Sequence, residues 1–249
     1  MIKQFTVITL FPEFISDYMK IGVVGSAVDK GIIKLNLIDL REFSTDRFGR
    51  VDDSSYGGGP GMVFSVEPVR AAIKKAKTDS NMHSHVMYMS PQGGRFDQSA
   101  VKDLRDLDHI IILAGRYEGI DQRLIDQDVD SEWSIGDYVL SGGELPSLVV
   151  IDAIARTMPG VLGSDESAKN DSFADGLLDF SHYTRPAVID DERVPEILIS
   201  GNHGAIARWR MKNALGRTYV GRPDLLSDKF LSYDDRELLK EYLQENGLL

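Results

Sequence analysis

The sequence predicts an α/β fold: a mainly parallel sheet covered on both faces, followed by a small C-terminal helical domain. Residues 5–10, 32–37, 86–89 and 110–114 form strand-like runs that are mostly apolar with few polar interruptions, as in strands buried on two sides. Helical periodicity fills the intervals between them, as parallel connections require. After Pro159-Gly160 the composition shifts to Ser, Asp and Gly with little periodicity, which marks a linker.

In chain order, the first strand leads into a helical pattern over 12–30, and the second strand closes the first unit. Helical patterns over 66–77, 97–107 and 121–127 flank the third and fourth strands, and residues 137–140 read as a short fifth strand. A long apolar helix spans 144–158, with Leu145, Leu148, Val149, Ile151, Ala155 and Met158 on positions wide enough for core and interface together. These features place one domain at 1–162, a linker at 163–178 and a second domain at 179–249, with helices near 203–214 and 234–246. No internal repeat or low-complexity tract is present.

The composition is that of an ordinary globular protein, 42% hydrophobic and 27% charged over 249 residues. Cysteine is absent, which excludes disulfides, a thiol nucleophile and thiolate zinc sites and suits the cytoplasm. The opening MIKQFTVITLFPEF meets Pro12 and Glu13 too early for a secretory segment, and no run approaches membrane-spanning length. Neither export nor a membrane partner is expected.

A net charge of −11 argues against coating nucleic acid by bulk attraction. The charge is unevenly placed, however. Residues 201–223 hold Arg208, Arg210, Lys212, Arg217 and Arg222 with no acid, whereas 224–249 hold seven acids against Lys229, Arg236 and Lys240. A solvated pair of charged helices accounts for this equally simply.

The common nucleotide and hydrolase signatures are missing. No G-x-x-x-x-G-K-[ST], no G-x-G-x-x-G after the first strand, no G-x-S-x-G and no H-E-x-x-H occurs. Five scattered histidines, including His83-Ser-His85, do not make a metal site, and no metal ligand is assigned. Glycine clusters instead at Tyr56-Gly57-Gly58-Gly59-Pro60-Gly61, Ser90-Pro91-Gln92-Gly93-Gly94, Gly115-Arg116-Tyr117-Glu118-Gly119 and Ile135 through Glu144. The last three follow or enclose strand runs, where α/β sheets bind ligands. Glycine lets backbone N–H and C=O groups approach closely, so three such loops at one sheet edge can cradle an adenosine-like molecule; each alone is also an ordinary tight turn.

Taken together, SPQGGRF, AGRYEGID, SIGDYVLSGGELP, DSFADGLLDFSHYTRP and SGNHGAIARWR resemble, in order and over nearly the whole chain, the bacterial tRNA (guanine-N1)-methyltransferases. That family belongs to the SPOUT superfamily, whose sheet is closed by a deep trefoil knot. Threaded chains are rare, so the knot rests on the resemblance alone. The resemblance implies methyl transfer from S-adenosylmethionine to the guanosine immediately 3′ of the anticodon, position 37. It places the donor at Tyr88, Ser90, Pro91, Gly115, Tyr117 and Glu118 and at Ile135, Gly136, Asp137, Tyr138, Val139, Leu140, Gly142 and Gly143. Backbone groups of Ile135, Gly136, Tyr138 and Leu140 would read the adenine edge. By their position at strand ends, Tyr88 and Leu140 are equally core residues. Glu118 either faces the donor or caps the following helix.

The implied chemistry needs a base for the N1 proton of guanine and a cation for charge growing on O6. The matching residues are Asp171 as base and Arg156, on the long helix, as the O6 partner. By themselves, Asp171 is one of several linker acids, with Asp165, Glu166, Asp175 and Asp179, and Arg156 an ordinary snorkelling side chain. Substrate tRNA falls to Asp52, Tyr56, Pro60 and Gly61, to His182 and Arg185, and to Arg208, Arg210 and Lys212. The family further implies a homodimer with a composite active site, and Mg2+-assisted turnover with no protein site assigned. A small-molecule transferase or nucleotide-dependent oxidoreductase on the same sheet, and a non-enzymatic RNA-binding module, are the alternative classes.

Overall fold

The computed structural model describes residues 2–163, 171–227 and 229–249. The chain divides into two compact units, residues 1–165 and 166–249. The predicted linker falls partly on residues outside those described, Asp165 and Glu166 among them.

In the first unit, β1 (Lys3–Thr9), β2 (Ile33–Asp39), β5 (Ser84–Arg95), β6 (His109–Leu113) and β7 (Ser131–Ser134) form one sheet in the order β2-β1-β6-β5-β7. Every pairing in it is parallel. Strands β1 and β6 are buried along their whole length. Alternate residues serve opposite faces: Phe5, Val7, Ile110 and Ile112 join one core, while Ile8, Ile111 and Leu113 join the other. The mostly apolar runs arise because both faces are buried. The first core is completed by α1 (Pro12–Tyr18), α2 (Gly22–Asp29), α4 (Gln98–Arg105) and α6 (Glu144–Ala155), through Ile15, Val24, Val101 and Ile151. The second is completed by α3 (Val66–Thr78) and α5 (Gln122–Asp128), through Ile73 and Leu124.

Lys3 is buried at the start of β1. Its ammonium donates to the carbonyls of Leu104 at 2.7 Å and Arg105 at 3.1 Å, and to Leu107. It thereby satisfies acceptors left open where α4 ends. Burial pushes its pKa down to about 8, against the upward pull of Asp108 and Asp106.

Three expectations are corrected. The fifth strand is Ser131–Ser134, not 137–140. This strand is polar and only half-buried, so no apolar run announces it; Gly136, at φ +146°, turns the chain out of the sheet before 137. The pattern over 12–30 is two helices, separated by a turn over 19–21, after which the chain re-enters helix at Gly22, where φ is +65°. The long helix ends at Ala155 rather than 158. Sequence periodicity also missed the short hairpin of β3 (Asp52–Ser54) and β4 (Met62–Phe64).

The second unit contains the hairpin β8 (Val188–Ile189) and β9 (Glu192–Arg193), then α7 (Glu196–Ile199), α8 (His203–Gly221), α9 (Asp224–Ser227) and α10 (Tyr233–Glu245). Helix α8 runs seven residues past the expected 214. It packs on α10, with Gly216 directly beneath the Tyr242 ring, where any Cβ would collide. Helix starts are capped by Asn202, and by Ser232 with Asp235 in a reciprocal box. The core is small: Leu177, Ala214, Leu215 and Leu238. Leu178 N–H donates to Thr218 Oγ1 at 2.9 Å and Asp179 N–H to Ser172 Oγ at 2.9 Å, which ties residues 172–179 into this unit.

Candidate active site

Three glycine loops of the first unit converge on one cleft of about 360 Å3 at the carboxyl ends of β5, β6 and β7. Strand β5 bulges out of register between Met89 and Gly94, which brings Ser90 and Pro91 to the cleft wall. Beyond β6, Gly115, Tyr117 and Glu118 form a second wall. Beyond β7, the chain supplies Ile135, Gly136, Tyr138, Val139 and Leu140, then Gly142 and Gly143. Asp137 is exposed and lies outside the lining.

The close approaches explain the residue types. A Cβ on Gly143 would stand 2.7 Å from Ala114 Cα and 2.9 Å from Gly115 N, and Gly143 N–H donates to Gly115 O at 2.8 Å. A Cβ on Gly115 would meet the Tyr88 ring at 2.7 Å. Tyr88 is therefore both buried floor and cleft wall; burial and the Glu132 charge raise its phenol, against a smaller downward pull from a backbone hydrogen bond at Ile120. Tyr117 has a left-handed backbone, φ +59°, and its ring meets Phe64 edge-on at 5.6 Å. A non-glycine residue there is strained, a feature concentrated at functional sites.

At the cleft, with Arg116 in its lining, stands an ion pair that sequence reasoning missed. Glu144, 3% exposed, accepts from Thr9 Oγ1 at 2.8 Å and from Arg116 Nε at 3.2 Å. The Arg116 guanidinium also covers the Phe11 ring at 4.2 Å. One carboxylate thus ties β1, the loop after β6 and the start of α6 together. The partners are 28 and 135 residues apart, beyond any local sequence signal.

The Tyr56–Gly61 loop reaches this region through Glu118. Glu118 N–H donates to Met62 O at 3.0 Å, and the absent Cβ of Gly61 would overlap the Glu118 carboxylate. Gly57, Gly58, Gly59 and Gly61 all have positive φ, so this backbone path needs glycine. Tyr56 and Pro60 are exposed and Asp52 half-buried on β3; none of the three lines the cleft. The cap of α5 is Asp121, which accepts from Arg123 N–H at 2.9 Å, so Glu118 has no capping role.

Arg156 is exposed one residue beyond α6 and does not line the cleft. Asp171 stands in the second unit, half-buried, where it lines a cavity of about 460 Å3 together with Phe180 and Arg210. His182 pairs with Asp179 at 2.9 Å. Arg185, His182 and Arg210 border a further groove. Arg208 and Lys212 are engaged elsewhere: Arg208 grips Glu241 through both guanidinium nitrogens, at 2.9 and 2.5 Å, and Lys212 binds Glu245 at 2.6 Å. Among the described residues no cluster of three or more ligating side chains could hold a metal ion, and no helix is long and apolar enough to cross a membrane.

Residues 3–228 match the family described as tRNA (Guanine-1)-methyltransferase TrmD. The chain belongs to that family. It is 50% identical over 247 residues to a tRNA (guanine-N(1)-)-methyltransferase of Chromohalobacter salexigens, covering 97% of this chain and 92% of the relative. Relatives of the same name from Pseudomonas fluorescens and Pseudomonas putida are 52% identical over 239 residues, covering 96% of both chains. Within this TrmD family the convergence of the three glycine loops is a property of this chain's own geometry rather than of the match.

Proposed function

We propose that this chain transfers the methyl group of S-adenosylmethionine to N1 of the guanosine immediately 3′ of the anticodon, position 37 of tRNA. The observation that carries the reading is the convergence of the three glycine loops on one cleft. Its volume lies within the roughly 300–1,000 Å3 usual for small-ligand sites. At Gly115, Gly142 and Gly143 neighbouring protein atoms leave no room for side chains, and all three line the cleft with backbone, which suits the adenosine of the donor. When bound, the donor supplies an electrophilic methyl group.

The chain's own residues do the rest. Ile135, Gly136, Tyr138 and Leu140 hold the adenine edge, and Tyr88, Ser90, Pro91 and Tyr117 shape the remaining wall. Asp171 takes the N1 proton. An ordinary aspartate is a weak base at neutral pH, so Arg156 at O6 is needed to acidify N1 as charge moves onto the oxygen. Asp52, Tyr56, Pro60 and Gly61 border the substrate guanosine, with Glu118 joining that loop to the cleft. The work is cytoplasmic, where tRNA is; Mg2+ assists turnover without an assigned protein ligand.

The active site is composite, formed by two copies. Arg156 lies about 18 Å along the helix from Glu144, at 1.5 Å per residue, too far to serve the cleft at the start of its own α6. Phe14, Leu145 and Val149 leave α1 and α6 with exposed apolar surface, as a homodimer face would. The return of residues 135–143 onto the Gly115 loop, with the Arg116–Gly142 bridge, supports a SPOUT trefoil knot.

The test is transfer of tritium from methyl-labelled S-adenosylmethionine to unmodified tRNA transcripts, with a second transcript carrying adenosine 3′ of the anticodon. Label recovered as 1-methylguanosine from the first alone is the expected result. Label elsewhere overturns the substrate assignment, and donor binding without label in any RNA turns the reading toward a small-molecule transferase.

A further inference from the structure

One wall of the donor cleft borders two cavities rather than a packed core. Arg116, Leu140, Ser141 and Gly142 line the cleft and also a second cavity of about 340 Å3, which Phe11 and Glu144 help to close. Core packing fixes side chains by filling the space around them, so this wall needs another means of support. Arg116 and Gly142 share an isolated antiparallel bridge, and Gly143 N–H donates to Gly115 O at 2.8 Å. Against Gly142 sits the ion pair: a Cβ there would stand 2.5 Å from Glu144 Oε2 and 2.8 Å from Arg116 Nε. The pair closes a ring of contacts. Phe11 N–H donates to Thr9 Oγ1 at 2.9 Å, and Thr9 Oγ1 donates to Glu144 Oε1 at 2.8 Å. Arg116 Nε donates to both Glu144 oxygens at 3.2 Å, and its guanidinium covers the Phe11 ring at 4.2 Å.

Glu144 itself does not line the cleft, so its influence on a ligand there passes through Arg116. We propose that Glu144 is a positioning residue for the methyl donor: its carboxylate holds the Arg116 guanidinium against Gly142 and thereby fixes the wall that residues 140–142 present to the cleft. A charged acceptor suits this task, because charge-assisted bonds to the planar guanidinium set its orientation as well as its place. The anchor lies on elements far apart in the chain, β1 through Thr9 and the start of α6 through Glu144, so the wall is referred to the frame of the sheet rather than to its own loop. The inference rests on the reading of this cleft as the S-adenosylmethionine site.

The experiment measures S-adenosylmethionine binding to the intact protein by calorimetry, and methyl transfer with the donor varied at saturating tRNA. Glu144→Gln is expected to raise donor Kd and KM about ten-fold with kcat within about two-fold of wild type, the pattern of lost uniform binding. Arg116→Gln should do the same, and the double variant should bind no more weakly than the weaker single variant, because the two residues act as one unit. The double variant also carries no unpaired buried charge, so it decides the matter if Glu144→Gln does not fold. Ile151→Val, in the buried core of the same helix and outside both cavities, lowers stability and should leave donor KM unchanged. Wild-type donor affinity in Glu144→Gln or in the double variant overturns the assignment while the donor reading stands. Losses that multiply in the double variant place Arg116 on the donor independently of Glu144, and an equal rise in KM for Ile151→Val assigns the effect to stability; both also overturn it. If the wild type does not bind S-adenosylmethionine, the inference and the donor reading fall together.

Discussion

The two units use charge in opposite ways. In the first, beside ordinary surface pairs, two buried charges fix the interior: Lys3 closes the end of α4, and Glu144 binds Thr9 and Arg116 at the cleft. In the second, charges lie on the outside and join one helix to another, Arg208 to Glu241 and Lys212 to Glu245. A buried pair that loses one partner leaves a charge without compensation, whereas an exposed pair is exchanged for water at little cost. The first unit is thus built to hold loops in one place, and the second to keep a small core closed while presenting its surface.

The largest effect that separates the units is chemical. Asp171→Ala should lower methyl transfer by roughly 10²–10⁴-fold, the usual range for a positioned base, with donor affinity unchanged by calorimetry. Normal transfer by this variant would remove Asp171 as the base. Next comes the cleft backbone. Gly143→Ala drives a Cβ onto the Ala114 and Gly115 backbone, where no flexible side chain can yield. Overpacking of this kind costs about 1–3 kcal/mol, and donor affinity should fall about ten-fold in a titration; unchanged affinity would show that the loops do not form the donor site.

Stability sharpens the same contrast. Glu144→Gln keeps an acceptor for Thr9 but leaves Arg116 without its counter-charge, and should cost on the order of 1–3 kcal/mol in denaturant unfolding. Arg208→Ala, at an exposed pair, should shift the same curve too little to separate from wild type. Equal losses in the two variants would erase the distinction drawn between the units.

The pH dependence tests Lys3. Its folded pKa of about 8 lies below the ordinary 10.5, so between these values the unfolded chain binds more protons, and stability rises with pH across that window. The gain should be on the order of 3 kcal/mol, read from denaturation midpoints at successive pH values. Lys3→Met should flatten the rise; a persisting rise would assign it to another group.

Much of the sheet was legible because burial on two faces leaves a one-dimensional mark: residues 110–114 are apolar throughout, and 5–10 are apolar except for Thr6 and Thr9. The glycine loops were legible for a similar reason, since close backbone approach admits one residue type. What stayed hidden had no local signature. Strand β7 is polar and short, so its neighbours rather than its side chains make it a strand. The Glu144 network and the Arg208–Glu241 clasp join residues far apart in sequence. The clasp also changes the meaning of the basic stretch, because two of its cations already have partners within the fold. Asp171 and Arg156 were singled out by resemblance, since neither an isolated linker acid nor a helix-end arginine carries a distinctive pattern.

The central claim is that donor cleft and base come from different copies of the chain. Mixing Asp171→Ala with Gly143→Ala protomers, unfolded and refolded together, tests it directly. Each homodimer is impaired, but the mixed dimer contains one site with an intact cleft and an intact base. The account predicts recovery toward about a quarter of wild-type transfer for statistical pairing in a two-fold dimer. Activity no greater than the sum of the separate variants would place the donor and the base in a single chain and contradict the claim.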